Sequence, residues 1–515
     1  MNKLKIWISG IVGVIFILIL GLGITAIVLV HTGWGIAIIA LATWFIDMIF
    51  GIYIINSHRE QYSKTCWILT ILVLPFIGVV IFLIFGTNPL TKIEWHDFVK
   101  KNKELSKYED YSYTKEVISN QSLPKEFIYG YTSLLSPIYN DTDIKIIKYN
   151  EEFYDSTIQL IRSAKSFIHI QMFMIRSGVF FKTFCSELIK KAKEGIEIRL
   201  LFDWYGSFHK YKRKQLKEMK AVGIQIGIFN PPGINMFKGA TNYRSHHKMI
   251  IVDNKSALCG GSNIADDYLS ISKNKYYWRD LNFLISGSII NSMNINFITN
   301  WILFSEYTVD KSDKMLFANQ TNKYLTINKN NRNDSLAQYV YSSPCLQTKD
   351  IHNEIINLIT NAKHSIKITT PYFLITSELI TTILIARRKN IPIEIIVPGR
   401  RDNKDFIIPM NRSHYKKMLD MGVSIYEYDG FIHSKLLIVD DYCLITSSNF
   451  DYRSFFSTFE GGVLVHSKNI LKELTSIFED DKQNSKNITK EFIKTYDSLW
   501  FKIQCLAVNI IKPLF

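Results

Sequence analysis

No charged residue interrupts the chain from Ile6 to Val30. A helix over that run is longer than the hydrocarbon core of a bilayer, about 30 Å, so the pattern predicts a membrane span. A second apolar run, Gly33 to Ile55, carries one acid, Asp47, and a third, Trp67 to Phe85, contains Pro75 and Gly78. Residues 1–90 therefore read as a multi-pass anchor of two to three helices. The first run exceeds the apolar core of a cleaved signal peptide and lacks a small-x-small cleavage site, which argues against removal. Lys3, Lys5, Arg59 and Lys64 draw the N-terminus and the second loop inward, and Lys92, Lys100, Lys101 and Lys103 draw the downstream segment the same way. Three true spans cannot satisfy both. Either one run is re-entrant or interfacial or the charge bias misleads, and the side of the membrane that carries the rest of the chain stays open.

Beyond a charged connector, residues 91–130, the pattern changes to β-branched strands alternating with helices, and it occurs twice about two hundred residues apart. Leu160 to Lys165 followed by Phe167 to Ile170 matches Leu358 to Lys363 followed by Ser365 to Ile368. Ile196 to Leu201 matches Pro392 to Val397, and the run from Gly223 matches the run from Gly422. Each copy predicts an α/β domain, a sheet flanked by helices. The expected boundaries are 131–318 for the first domain and 336–515 for the second, with the polar segment 319–335, rich in Asn, Lys and Thr, as their linker. The stretch from Leu499 to Phe515 mixes Trp500, Phe501, Leu506, Val508 and Ile510 with Lys502 and Lys512. It is expected either to lie on a membrane surface or to pack on the second domain.

The formal net charge of +15 draws the chain toward anionic partners, nucleic acid or acidic lipid alike, and the apolar N-terminal runs favour lipid. Six scattered cysteines form no C-x-x-C pair and no dense framework, so neither a disulfide scaffold nor a zinc site is expected.

The chemistry concentrates in two matching motifs. His246-His247-Lys248 precedes an apolar run to Asp253 and then Gly260-Gly261-Ser262-Asn263; His433-Ser434-Lys435 precedes a second such run to Asp440 and then Thr446-Ser447-Ser448-Asn449. On a strand, residues two apart face one side, so each His and its Lys are expected to project together. A phosphodiester gathers negative charge on its equatorial oxygens as it reacts, and lysine ammonium groups and asparagine amides stabilise that charge. A neutral imidazole attacks phosphorus, and a second protonates the leaving alcohol. His246 and His247 together also suggest metal ligands, but neighbours on a strand point to opposite faces and no third ligand clusters with them. Metal-independent chemistry without a cofactor is the expectation.

These paired signatures resemble those of the phospholipase D superfamily, and the chain from about residue 34 onward is similar to bacterial cardiolipin synthases. The resemblance extends to Trp67 to Gly86 in the anchor, Asn230 to Pro232, Asn242 to Arg244, Tyr277 to Asp280, Thr370 to Phe373, Ile425 to Tyr428 and Asn449 to Ser454. It implies two tandem phospholipase D-like domains behind a membrane anchor in a bacterial cell membrane, with phosphatidylglycerol as substrate and no nucleic acid. It further implies that two phosphatidylglycerol molecules give cardiolipin and glycerol through a phosphatidyl-histidine, with His246 as nucleophile and His433 as acid and then base. Lys248, Lys435, Asn263 and Asn449 would hold the phosphate, and Asp280 and Glu460 would each orient the histidine of the opposite half. Asp253 and Asp440 complete the motif and are expected to fix the turn geometry. Oligomeric state is left open. Three departures stand out: the second motif is one residue shorter between Asp440 and Asn449, Thr446 replaces the usual Gly, and Gln171 sits where an acid is common. The second half is therefore where altered geometry is expected.

Overall fold

The computed structural model describes residues 34–57, 59, 61–86, 92–207, 211, 213–231, 243–269, 278–305, 309, 311–346, 349–400, 407–496 and 498–511. The first apolar run, Ile6 to Val30, lies outside the described residues. The described residues fall into two compact units, one up to residue 86 and one from residue 92 onward.

Among the described residues of the first unit, one helix, Trp34–Asn56, is long and apolar enough to cross a bilayer. The third apolar run is not one helix. It forms Gln61–Val73, a turn at residues 74–76, Ile77–Ile81 and a final wide turn, Phe82–Gly86. Pro75 has no N–H and cannot continue a helix, and Phe76 takes a left-handed conformation at φ 61°. The Phe76 N–H, freed by the break, donates to Asp47 Oδ1 at 3.1 Å, which gives the lone acid of the second run a structural job. Gly78 closes the turn where a Cβ would meet Thr70 O at 2.6 Å. Trp67, Ile71, Val79 and Phe82 then pack with Ile54.

The second unit holds two sheets with the same strand order. The first runs Asp143–Ile147, Asn282–Ser286, Ser256–Gly260, Lys248–Val252, Phe167–Met172, Glu197–Asp203, Gln225–Phe229. The second runs Leu336–Ser342, Thr458–His466, Tyr442–Thr446, Leu436–Val439, Ile366–Thr369, Ile393–Pro398, Ser424–Tyr428, and adds Ile138–Tyr139 and Ser485–Ile488 at its edges. In each sheet the last three strands of the shared order are parallel and the others antiparallel, as a mixed sheet requires. Outer faces are covered by helices, among them Val179–Lys193 in one half and Asp350–Asn361 in the other. Inner faces share one core: Met249 and Ile251 from the first sheet and Ile438 and Ile445 from the second meet around Phe297 and Trp301. Those two belong to the helix Ile289–Phe304, buried from Ile289 through Trp301. Strands covered on both faces carry continuous apolar runs, which is why Lys248–Val252 is buried throughout.

Two boundaries differ from a simple tandem. Ile138–Tyr139, inside the stretch expected to form the first domain, pairs with Leu336–Ser342 of the second sheet. The polar linker lies along the first repeat, where Asn328 donates to Asn254 O at 3.2 Å and Asn333 N–H to Asn140 O at 2.8 Å.

Candidate active site

Two short parallel ladders stitch the repeats together, and the site grows out of them. Arg244–Ser245 of the first repeat pairs with Thr458–Phe459 of the second, and Trp278–Arg279 of the first pairs with Phe431–Ile432 of the second. The residue that follows each ladder is a histidine on one strand and an acid on the other: His246 beside Glu460, and His433 beside Asp280. Backbone bonds extend both ladders by one step, His246 N–H to Phe459 O at 2.8 Å and His433 N–H to Arg279 O at 2.6 Å. Each histidine thus sits in the extended link just before its strand, where the expectation had put it on the strand.

His246 Nδ1 faces two acceptors, Glu460 Oε1 at 3.0 Å and Ser447 O at 3.0 Å. With only acceptors there, Nδ1 carries the proton and Nε2 keeps its lone pair. His433 Nδ1 donates to Asp280 Oδ2 at 2.7 Å, and Lys435 Nζ lies 3.1 Å from His433 Nε2. Lys248 Nζ donates to His246 O at 2.7 Å. Phe173 meets the His246 ring edge-on at 4.9 Å, whereas His433 is enclosed by Trp278, Tyr268 and Phe431.

Burial sets the protonation states. It drives His433 down to about 3, helped by the Lys435 ammonium and opposed by Asp280. Burial also lowers His246 against the pull of Glu460, with the charges of Lys248 and Lys435 adding to the effect. Both imidazoles feel both ammonium groups, the electrostatic mark of one shared site. Burial would raise Glu460, but His246, Lys248 and the Ser447 hydroxyl outweigh it and hold the carboxyl in its ionised form. Burial lowers Lys248 to about 7 and Lys435 to about 8, with Glu460 and Asp280 resisting.

The remaining expected residues divide. Asn263 is committed internally, accepting from Met174 N–H at 3.0 Å and donating to the Tyr268 hydroxyl at 2.8 Å. Asn449 Oδ1 is buried and accepts no hydrogen bond among the described residues. Asp253 and Asp440, grouped with the catalytic residues by their motif, stand at the far ends of their strands. Asp253 stands five strand steps beyond Lys248, about 16 Å. Asp253 accepts from the N–H groups of Lys165, Ser166 and Phe167 at 2.8–2.9 Å, and Asp440 from those of Lys363, His364 and Ser365 at 2.7–2.9 Å. They clamp the hairpin turn onto the neighbouring strand and reach no reacting atom. His247 lines a small cavity together with Lys248, Tyr339, Ser447 and Gly461.

The departures are absorbed locally. The missing residue falls in the hairpin turn: three residues separate Val252 from Ser256, its ladder partner, but two separate Val439 from Tyr442. Thr446 corresponds to Gly260, and its neighbour across the ladder is Gly462, where the first repeat has Asn282 opposite Gly260. Large and small have changed places. Gln171 donates to Ser245 Oγ at 2.7 Å and so steadies the residue before His246, which is also fixed by its N–H bond to Asp203 Oδ2 at 3.0 Å. Sequence reasoning missed Ser447 and Thr458, whose hydroxyls hold Glu460. The available signal was Ser447 standing where the first repeat has Gly261, a position where a Cβ would meet Asp280 Oδ1 at 2.0 Å.

Residues 157–297 and 355–482 match a family model described as cardiolipin synthase, PLD-like domain, and residues 35–86 match the phospholipase D-nuclease N-terminal family. A cardiolipin synthase of Clostridium perfringens is 30% identical over 463 residues, 89% of this chain and 95% of that protein. One from Staphylococcus aureus is 29% identical over 508 residues, covering 95% of this chain and 99% of the relative. Among solved structures, the phosphatidylserine synthase of Haemophilus influenzae matches 76% of this chain and 100% of its own with a TM-score of 0.56 at 16% identity, a likeness of fold. The doubled strand order, the paired His-x-Lys motifs and these matches agree: the chain belongs to the cardiolipin synthases with phospholipase D-like domains.

Proposed function

We propose that the chain is a membrane-bound cardiolipin synthase that transfers a phosphatidyl group from one phosphatidylglycerol to another. The observation that carries this reading is the reciprocal pairing of His246 with Glu460 and His433 with Asp280 across the two repeats. His246 Nε2 attacks phosphorus, the bond to the glycerol oxygen breaks, and His433, protonated when the anionic diester binds, gives its proton to that oxygen. Glycerol leaves. His433, now neutral, takes the proton from a hydroxyl of the second phosphatidylglycerol, whose oxygen attacks phosphorus and breaks the phosphorus–nitrogen bond. Cardiolipin forms and His246 is restored. Lys248, Lys435 and the Asn449 amide stabilise the equatorial oxygens, and Glu460 balances the positive charge that grows on His246. The Trp34–Asn56 helix supports placement at the cell membrane, where both substrates reside.

Purified full-length protein given phosphatidylglycerol labelled in its phosphate is expected to release cardiolipin and one glycerol per turnover. Phosphatidic acid as the main product would replace transferase with hydrolase, and no turnover would leave a lipid-binding protein.

A further inference from the structure

The helix Leu499–Ile511 carries an apolar face that the second repeat leaves uncovered. Leu499 is 76% exposed, Trp500 67% and Ile503 47%, and their spacing sets them along one side of the helix. Its other side is anchored: Val508 is buried with Leu374 and Met410. At its start Phe501 meets Tyr496 edge-on at 5.0 Å, and Arg412 covers Tyr496 at 4.5 Å. The helix is therefore a fixed part of the second repeat. Leu374 belongs to the two-residue strand that pairs with Phe450–Asp451, directly after Asn449 of the active site. The buried end of the helix, at Val508, thus packs on the strand pair that leads out of Asn449.

Cations gather on the adjoining surface. Tyr415–Asp420 packs on the helix Lys490–Tyr496, which leads into Leu499–Ile511, and Lys490 pairs with Asp420 at 2.8 Å. Lys416 and Lys417 line a surface groove together with Arg387 and Arg388, and the groove holds one acid, Asp420. An apolar stripe with a tryptophan and a cationic groove on the same repeat complement a lipid surface: acyl chains receive the stripe and anionic headgroups meet the groove.

We propose that Leu499–Ile511 is a second membrane contact, an interfacial helix that seats the second repeat on an anionic bilayer and brings the active site to its substrate. It adds to the N-terminal helix, and it concerns docking whichever reaction follows. The chain's formal charge of +15 and its helix long and apolar enough to cross a bilayer argue for lipid over a second protein.

The test uses the full-length protein in vesicles of equal parts phosphatidylglycerol and phosphatidylcholine. Acyl chains brominated near the headgroup quench tryptophans that reach them, and the difference between wild type and Trp500→Phe isolates Trp500. At least half of that difference emission is expected to be quenched, and less in pure phosphatidylcholine. A difference emission equal in brominated and plain vesicles overturns the proposal, as does a Trp500-dependent dimer without quenching. Because the quenching readout needs no turnover, it stands or falls apart from the transferase reading. In parallel, the triple variant Leu499→Ser, Trp500→Ser, Ile503→Ser is expected to turn over bilayer phosphatidylglycerol at least fivefold more slowly. Its rate on monomeric dihexanoyl-phosphatidylglycerol in detergent should be unchanged. Equal bilayer rates, or an equal loss on both substrates, would contradict the role.

Discussion

Glu460 and Asp280 bind the same nitrogen, Nδ1, on histidines that belong to the opposite repeat. A carboxylate there fixes the tautomer and offsets the charge that appears when Nε2 forms a bond. Glu460→Gln keeps most of the shape and removes the charge, so kcat is expected to fall about 10²–10⁴-fold while the fold persists, measured by steady-state turnover beside circular dichroism. His246→Ala and His433→Ala are each expected to lose at least that much, because attack and leaving-group protonation act as a unit. The lysines set a pH limit. Burial lowers Lys248 to about 7 and Lys435 to about 8, so their cationic forms, needed for the phosphate oxygens, are lost as pH rises through those values. The profile of kcat/KM is therefore expected to fall above pH 7–8, and Lys248→Arg, which stays charged, should move that limb upward. The histidine and lysine pairs were legible because the chemistry needs them at fixed spacing twice. Ser447 and Thr458 were not, because their partner, Glu460, becomes visible only when the strands are side by side.

The hairpin that follows each His-x-Lys strand shows how an element tolerates change. Asp253 and Asp440 both take left-handed backbone angles, φ 53° and 51°, and each collects three N–H groups from the start of the neighbouring strand. Asp440→Ala is expected to cost about 1–3 kcal/mol of stability, seen as a lower unfolding midpoint, while the folded fraction keeps its turnover. Turn length differs between the repeats because a turn adds or loses a residue without shifting the ladder behind it. The Thr446 and Gly462 exchange makes a sharper claim. A Cβ at position 462 would lie 3.0 Å from Thr446 Cβ, so Gly462→Ala should destabilise the wild type more than it does a Thr446→Gly background, a coupling that a double-mutant cycle measures. Counting residues along the motif revealed the deletion, but only the ladder shows that it falls in the turn, away from the phosphate.

At the scale of the molecule, the repeats are halves of one site. The two α/β copies and their helix cover were legible from the duplicated pattern, since helix and strand periods survive divergence between copies, whereas the strand order was not, because a period carries no information on pairing. The exchange of Ile138–Tyr139 into the second sheet was not, because a two-residue strand has no period to read. Nor was the break in the third apolar run, where Pro75 was visible but the acceptor for the freed N–H, Asp47, lay 29 residues away. The shared core around Ile289–Phe304 and the two cross-repeat ladders support the proposal that His246 and His433 act on one phosphorus from opposite halves. The most direct measurement quenches wild-type turnover in alkali with phosphate-labelled phosphatidylglycerol and maps the labelled peptide. Alkali-stable, acid-labile label is expected on His246, forming more slowly in His433→Ala; label on His433 with His246 bare, or label on no histidine, would rule out the shared site.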